Sequence, residues 1–148
     1  MCSIHWGSNC GYEILPSEIV FAHRLIEQAG VDLVHGHSSH HPKAIEVYRG
    51  KLILYGCGDL VNDYEGIHGY ESFRGDLGLM YFATLELDSG RLLRLELAPM
   101  QMRRLRLQRP APDDIRWLRD RLDRECRRFG TTIDMRLDGR FELHWGDS

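Results

Sequence analysis

His35, His37, His40 and His41 fall within seven residues, so half of the chain's eight histidines share one short stretch. Gly36 and the pair Ser38-Ser39 separate them. A second stretch, Ser3-Ile4-His5-Trp6-Gly7, repeats the logic of a short apolar run followed by His and then Gly. Neutral imidazole is the commonest side-chain metal ligand, and the partner on one ring nitrogen decides which nitrogen is left for the metal. So dense a cluster directly after an apolar run points to a metal or phosphate site. A polar surface loop that merely gathers histidines is the alternative, and the residues leave both open.

These residues need elements to position them. Val31-Asp32-Leu33-Val34 reads as a buried strand, which puts the cluster at a strand's C-terminal end, where α/β folds place ligands. Residues 1–5 read as another strand that delivers His5, and the two His-bearing loops are expected side by side. Between them Ile19, Ala22, Leu25, Ile26 and Ala29 recur at helical spacing. Ser17 is the expected N-cap, Glu18 favours the first turn and Gly30 stops the helix. His23 falls on the polar side and is expected to be solvated. After the cluster, residues 44–48 and 52–55 read as a hairpin around Arg49-Gly50, and Gly56-Cys57-Gly58-Asp59 as a tight turn that brings backbone close to a ligand. A polar, Gly-rich connection over 62–78 follows. Strands are expected over 79–87, 91–98 and 101–107, with one wet face signalled by Arg94 and Glu96 alternating with leucines. Pro110 and Pro112 precede a helix over about 113–128, capped by Asp113 or Asp114. Ile115, Leu118, Leu122, Cys126 and Phe129 form its buried stripe. Residues 131–136 and 140–145 close the chain as a hairpin around Asp138-Gly139, with His144 structural.

A chain of 148 residues with 43% hydrophobic and 28% charged content and a net charge of −3 suits a globular domain with a real core. That balance argues against a nucleic-acid partner, which calls for a basic excess. No apolar run approaches the ~20 residues of a membrane span, and residues 1–6 lack the pattern of a secretory signal. Cys2, Cys10, Cys57 and Cys126 show neither CxxC pairing nor a disulfide framework, so reduced, structural thiols are expected. Seventeen of the nineteen Lys and Arg residues are Arg, ten of them between 103 and 128. Acids are interspersed there, and the outer face of that helix reads as solvated.

The order of three segments resembles the CapA family of poly-γ-glutamate capsule biosynthesis proteins. Ser3-Ile4-His5-Trp6-Gly7 is similar to the family's strand ending in His-Trp-Gly, and Ala29 through His40 to its "AGADLVVGHHPH" segment. Ile45 through Gly50, continuing from Leu52 to Asp59, is similar to its "IE-Y-GK-I-YSLGNF" segment, with Asp59 where Asn is usual and Cys57 where a larger apolar residue is usual. The resemblance covers residues 1–64. It implies an α/β (α+β) fold: the C-terminal half of a metallophosphoesterase-like β-sandwich flanked by helices, followed by trailing antiparallel strands, a helix and a hairpin. Residues 1–109 would form the partial domain and 110–148 its C-terminal helix and hairpin extension. Carried over, the resemblance implies His5, His37 and His40 as ligands of divalent metal ions of the Mn, Fe or Zn type. His35, Gly36, Trp6 and Asp59 would support the metal or the substrate, Gly36 by letting the backbone turn tightly. No residue is assigned the proton transfer. The family's early Asp and Asn-Asn-His residues are not in this sequence, and a two-metal site needs carboxylate bridges to hold ions about 3.5–4 Å apart. The expectation is therefore an incomplete site that becomes a hydrolase of a phosphate-ester or capsule-polymer substrate when the other half is supplied. A non-catalytic fragment that pairs with another chain or with its own copy is the alternative. The compartment would be cytoplasmic on these residues, and membrane-associated or exported given an upstream segment.

Overall fold

A computed structural model describes residues 1–62 and 69–146. Two sheets, two α-helices and two short 3₁₀ turns give an α+β fold. The first sheet runs in the order β1 (Cys2–His5), β2 (Leu33–His37), β4 (Lys51–Leu54), β3 (Ile45–Tyr48). β1, β2 and β4 are parallel, and β3 returns antiparallel to β4 through the expected turn at Arg49-Gly50. Helix α1 (Pro16–Ala29) is the crossover between β1 and β2.

The cap of α1 differs from expectation. Leu15, not Ser17, is the N-cap, and the Glu18 carboxylate accepts the Leu15 N–H at 2.7 Å. A proline at the first helical position moves the start two residues earlier, and Glu18 then satisfies the exposed amide from inside the helix. Gly30 closes the helix with φ +64°, as its position suggested.

The second sheet joins β5 (Leu77–Leu85), β6 (Leu92–Arg103), β9 (Phe141–Trp145) and β8 (Thr131–Met135), with β7 (Arg106–Gln108) on the far end of β6. The strands expected over 91–98 and 101–107 are instead one long strand and a short partner. Pro99 does not break β6: it lies opposite Leu79 in a strand paired through Arg103. The chain reverses only at Arg104-Leu105. Helix α2 (Pro112–Cys126) starts before either expected cap, with Ala111 as N-cap. Asp113 and Asp114 bind Arg116 and Arg74 instead. Of the expected connection over 62–78, residues 63–68 lie outside the described residues.

Two apolar layers sandwich the first sheet. Val34, Ile53, Tyr55 and Ala44 face α1 through Ala22 and Ile26. On the opposite face Ile45, Val47, Leu52 and Leu54 meet Leu77, Leu79, Leu95, Leu97, Phe141 and Leu143 of the second sheet and Leu118, Leu122 and Cys126 of α2. This second layer covers β3 and β4. Its continuation on β2 and β1 keeps Leu33 and then turns to His35 and His37, with Ser3 and His5 beside them, and that change shapes the candidate site.

Candidate functional site

Because β1 and β2 are parallel and in register, Ser3 lies beside His35 and His5 beside His37. Side chains two apart in a strand share a face. Ser3, His5, Leu33, His35 and His37 therefore line one surface, which also carries Leu52 and Leu54 of β4. His5 and His37 are exposed there, and their ring centroids stand 5.3 Å apart; His35 and His37 stand 5.7 Å apart. The Ser3 hydroxyl meets His35 Nδ1 at 2.9 Å. Burial, and then the neighbouring His37, hold the His35 imidazole below the ordinary histidine range, which favours the neutral ring.

The cluster is thus not simply a loop after a strand. His35 and His37 belong to β2 itself, which runs three residues further than expected. His40 and His41 follow the strand and have different tasks. His40 Nδ1 lies 2.9 Å from Asp59 Oδ2, and the His40 backbone N–H donates to Asn9 O at 2.8 Å. A carboxylate on one imidazole nitrogen is the arrangement that orients metal-binding histidines. Asn62 Nδ2 also donates to Asp59 Oδ2, at 3.2 Å, and the buried Asn62 Oδ1 has no hydrogen-bond partner among the described residues. His41 is interior, 1% exposed, and stacks on Phe73. Its Nε2 accepts the Gly11 N–H at 3.0 Å and its Nδ1 donates to Pro42 O at 3.1 Å, which fixes the neutral Nδ1–H form. Burial pushes its pKa down to about 4. It holds the 9–11 loop against the cluster.

Gly36 acts otherwise than expected. It sits inside β2, not in a turn, and a Cβ there would run into Trp6 Nε1 and, at 2.6 and 2.7 Å, into the carbonyl oxygens of Tyr55 and Leu54. The glycine exists so that the Trp6 indole can cross the strand and donate to Tyr55 O at 2.9 Å. Trp6 also stacks on Tyr55, with centroids 5.9 Å apart. Ser38 is held at φ +130°, and its hydroxyl donates to Trp6 O, tying the two His-bearing segments together. A non-glycine residue in that conformation is uncommon and concentrates at functional positions.

Two participants were not foreseen. Lys43, 3% exposed, lies under the 7–13 segment and donates to Ser8 Oγ and Glu13 O, each at 3.4 Å. Burial lowers its pKa. His23, expected in solvent, lies 3.0 Å from Glu46 Oε1 and stacks on Tyr48 at 3.6 Å; Glu46 Oε2 in turn accepts the Tyr55 hydroxyl at 2.6 Å. A polar residue on a helix and an acid on a strand carry no sequence signal of meeting, since only the crossover of α1 brings them together.

Residues 1–64 match the family model described as "Bacterial capsule synthesis protein PGA_cap". Two Mycobacterium tuberculosis proteins, from strains CDC 1551 and H37Rv, are each 54% identical to this chain over 141 residues. Both are named "Probable polyglutamine synthesis accessory protein". The chain belongs to the bacterial capsule synthesis family. The matches cover 95% of the chain but 37% of each relative, so the chain spans little more than a third of their length.

The donors suit a divalent metal in kind: imidazoles and a carboxylate-oriented histidine. They do not close a site, because no group of three or more His, Cys, Asp or Glu side chains converges among the described residues. His5 and His37 come together, whereas His40 is tied to Asp59. Among the described residues, no helix is long and apolar enough to cross a membrane.

Proposed function

We propose that residues 1–64 form the histidine-bearing wall of a metallophosphoesterase-type site in a capsule synthesis protein, with the carboxylate wall supplied by chain outside these residues. The observation that carries this reading is the in-register pair His5 and His37 on the sheet face where the apolar layer stops. A sheet face that turns from Leu54 to His35 across one strand spacing, and from Leu33 to His35 and His37 along β2, is suited to meet something polar. His5 and His37 would contact a divalent ion of the Mn, Fe or Zn type, and His40, set by Asp59, would be the third ligand. His35, Ser3 and Trp6 would keep the two strands at fixed spacing. Such ions polarise a phosphoryl oxygen and lower the pKa of bound water. This chain's contribution is to hold imidazoles at one end of the parallel strands β1 and β2. The substrate class is a phosphate ester or a capsule-polymer precursor.

Metal analysis of the purified chain after equilibration with Zn²⁺ or Mn²⁺ tests the ligand set. Bound metal in the wild type and its loss in His37→Ala is the expected outcome; equal metal in both forms, or none in either, overturns it. Phosphodiester hydrolysis by this chain alone with added Mn²⁺ would overturn the assignment of the carboxylate wall elsewhere.

A second reading, a non-catalytic module that pairs with another chain, is favoured by β1. It is an outer strand of the first sheet, and its histidine-bearing face is exposed. An uncovered edge strand offers unpaired backbone groups to a partner. A monodisperse monomer in light scattering across the working concentration range would rule out self-pairing.

A further inference from the structure

Strand β6 is paired with β5 along one edge, but its other edge is shared by two partners. β9 pairs there with Glu96 and Leu97, and β7 with Gln101 through Arg103. Ala98, Pro99 and Met100 fall between them, and Pro99 has no backbone N–H to offer a further strand. A cavity of about 290 Å³ opens at this gap. Met80 lies opposite Ala98, whose lone methyl group leaves the floor open, and Met100, Phe82 and Ile115 supply apolar walls. Phe82 is 45% exposed, so this apolar surface is not closed over by the fold.

Two cations line the same cavity, Arg109 and Arg140, against one acid, Asp138. The acid is only loosely engaged, 3.8 Å from the Arg140 guanidinium and 3.7 Å from that of Arg136. Arg140 stands over the Phe82 ring, 5.8 Å from its centroid. Arg74, Arg94 and Arg127 hold carboxylates at 2.8, 3.0 and 2.8 Å, whereas Arg109 makes no ion pair among the described residues. Single exposed apolar side chains are ordinary on a surface, but an apolar hollow with a few fixed charges is the form of a small-molecule site. Its volume stands at the lower end of the ~300–1,000 Å³ such sites occupy.

We propose that this cavity binds a small amphipathic monocarboxylate, its aliphatic body between Met80, Met100 and Ile115 and its carboxylate on Arg109 and Arg140. Thioether side chains are flexible and polarisable and adapt to an alkyl body. The planar guanidinium fork matches a carboxylate in two parallel hydrogen bonds. One guanidinium in excess over the lining acid favours a single negative charge. The cavity shares no residue with the histidine wall, and its ligand depends on neither a metal nor the capsule reading.

The test is titration calorimetry of the chain with decanoate below its micelle concentration, with decanol and acetate as comparisons. Decanoate is expected to bind saturably at one per chain and more weakly as salt rises. Decanol and acetate should each bind far more weakly, since one lacks the charge and the other the apolar body. Ala98→Leu, which fills the floor, should abolish binding. Arg109→Gln, at an exposed position, should weaken it about tenfold and flatten its salt dependence. The urea midpoint shows whether Ala98→Leu keeps its fold, and Arg109→Gln carries the test alone if it does not. Absence of saturable binding by the wild type, decanol binding as tightly as decanoate, or undiminished binding by Arg109→Gln or by folded Ala98→Leu overturns the proposal. The metal analysis of His37→Ala reads the other site, so either proposal fails without the other.

Discussion

Replacing Gly36 by Ala is the sharpest single perturbation of the His-bearing sheet. Reducing a glycine to alanine in a strand ordinarily stabilises by about 0.4–1 kcal/mol, because the unfolded chain loses freedom. Here the new methyl would overlap Trp6 Nε1 and stand 2.6 and 2.7 Å from two backbone carbonyl oxygens. The indole can swing away, but the carbonyls of Tyr55 and Leu54 belong to β4 and the segment just after it, and they move only if β2 and β4 separate. Overpacking of this kind costs about 1–3 kcal/mol, and loss of the Trp6 to Tyr55 hydrogen bond adds about 1 kcal/mol. The expected loss is therefore about 3 kcal/mol, opposite in sign to the ordinary effect. With a urea slope of about 2 kcal/mol/M, the unfolding midpoint followed by tryptophan fluorescence should fall by about 1.5 M. Gly146→Ala, where a Cβ meets nothing within 4 Å, is the neutral control. Trp6→Phe in the Gly36→Ala background should recover only part of the loss, because it removes one of the three close contacts. A midpoint for Gly36→Ala within about 0.3 M of wild type, inside the scatter of inert surface changes, would refute the steric account.

Other outcomes follow from the polar groups beneath the site. His41 has a folded pKa of about 4 against an ordinary 6.5, so the unfolded chain binds the proton first as pH falls. Stability is whole above pH 6.5 and should drop by about 3 kcal/mol by the time pH passes below 4. Urea unfolding across that range should show a flatter slope in His41→Gln than in wild type; identical slopes would show that His41 is not the source. Tyr55→Phe removes a buried hydroxyl that donates to Glu46 at 2.6 Å, and should cost about 2 kcal/mol, a Tm lower by about 4–8 °C. An unchanged Tm in calorimetry would place that hydrogen bond among the energetically neutral ones.

Local chemistry made much of this chain legible. The turn at Arg49-Gly50, the stop at Gly30, the amphipathic stripe of α2 and the closing hairpin all follow from periodicity and backbone freedom, which act over a few residues. The family followed from the order of the three segments over residues 1–64. The helix starts slipped because Pro16 and Pro112 begin a helix irrespective of the polar residues that follow. One extended strand was read as two because a proline opposite Leu79 interrupts a pattern without interrupting a pairing.

The site depended on information that sequence spacing does not hold. Four histidines in seven residues announced chemistry, yet only the parallel register of β1 and β2 put His5 beside His37 and divided His35 and His37 from the buried His41. Gly36 offered glycine's freedom as the obvious explanation, and the structure replaced it with a steric one, since the crossing indole comes from residue 6 and the carbonyls from residues 54 and 55. The sequence by itself determined which histidines cluster, and which family residues 1–64 belong to. Tertiary structure decided which of them share a face, because strand register and helix crossover act between residues far apart in the chain.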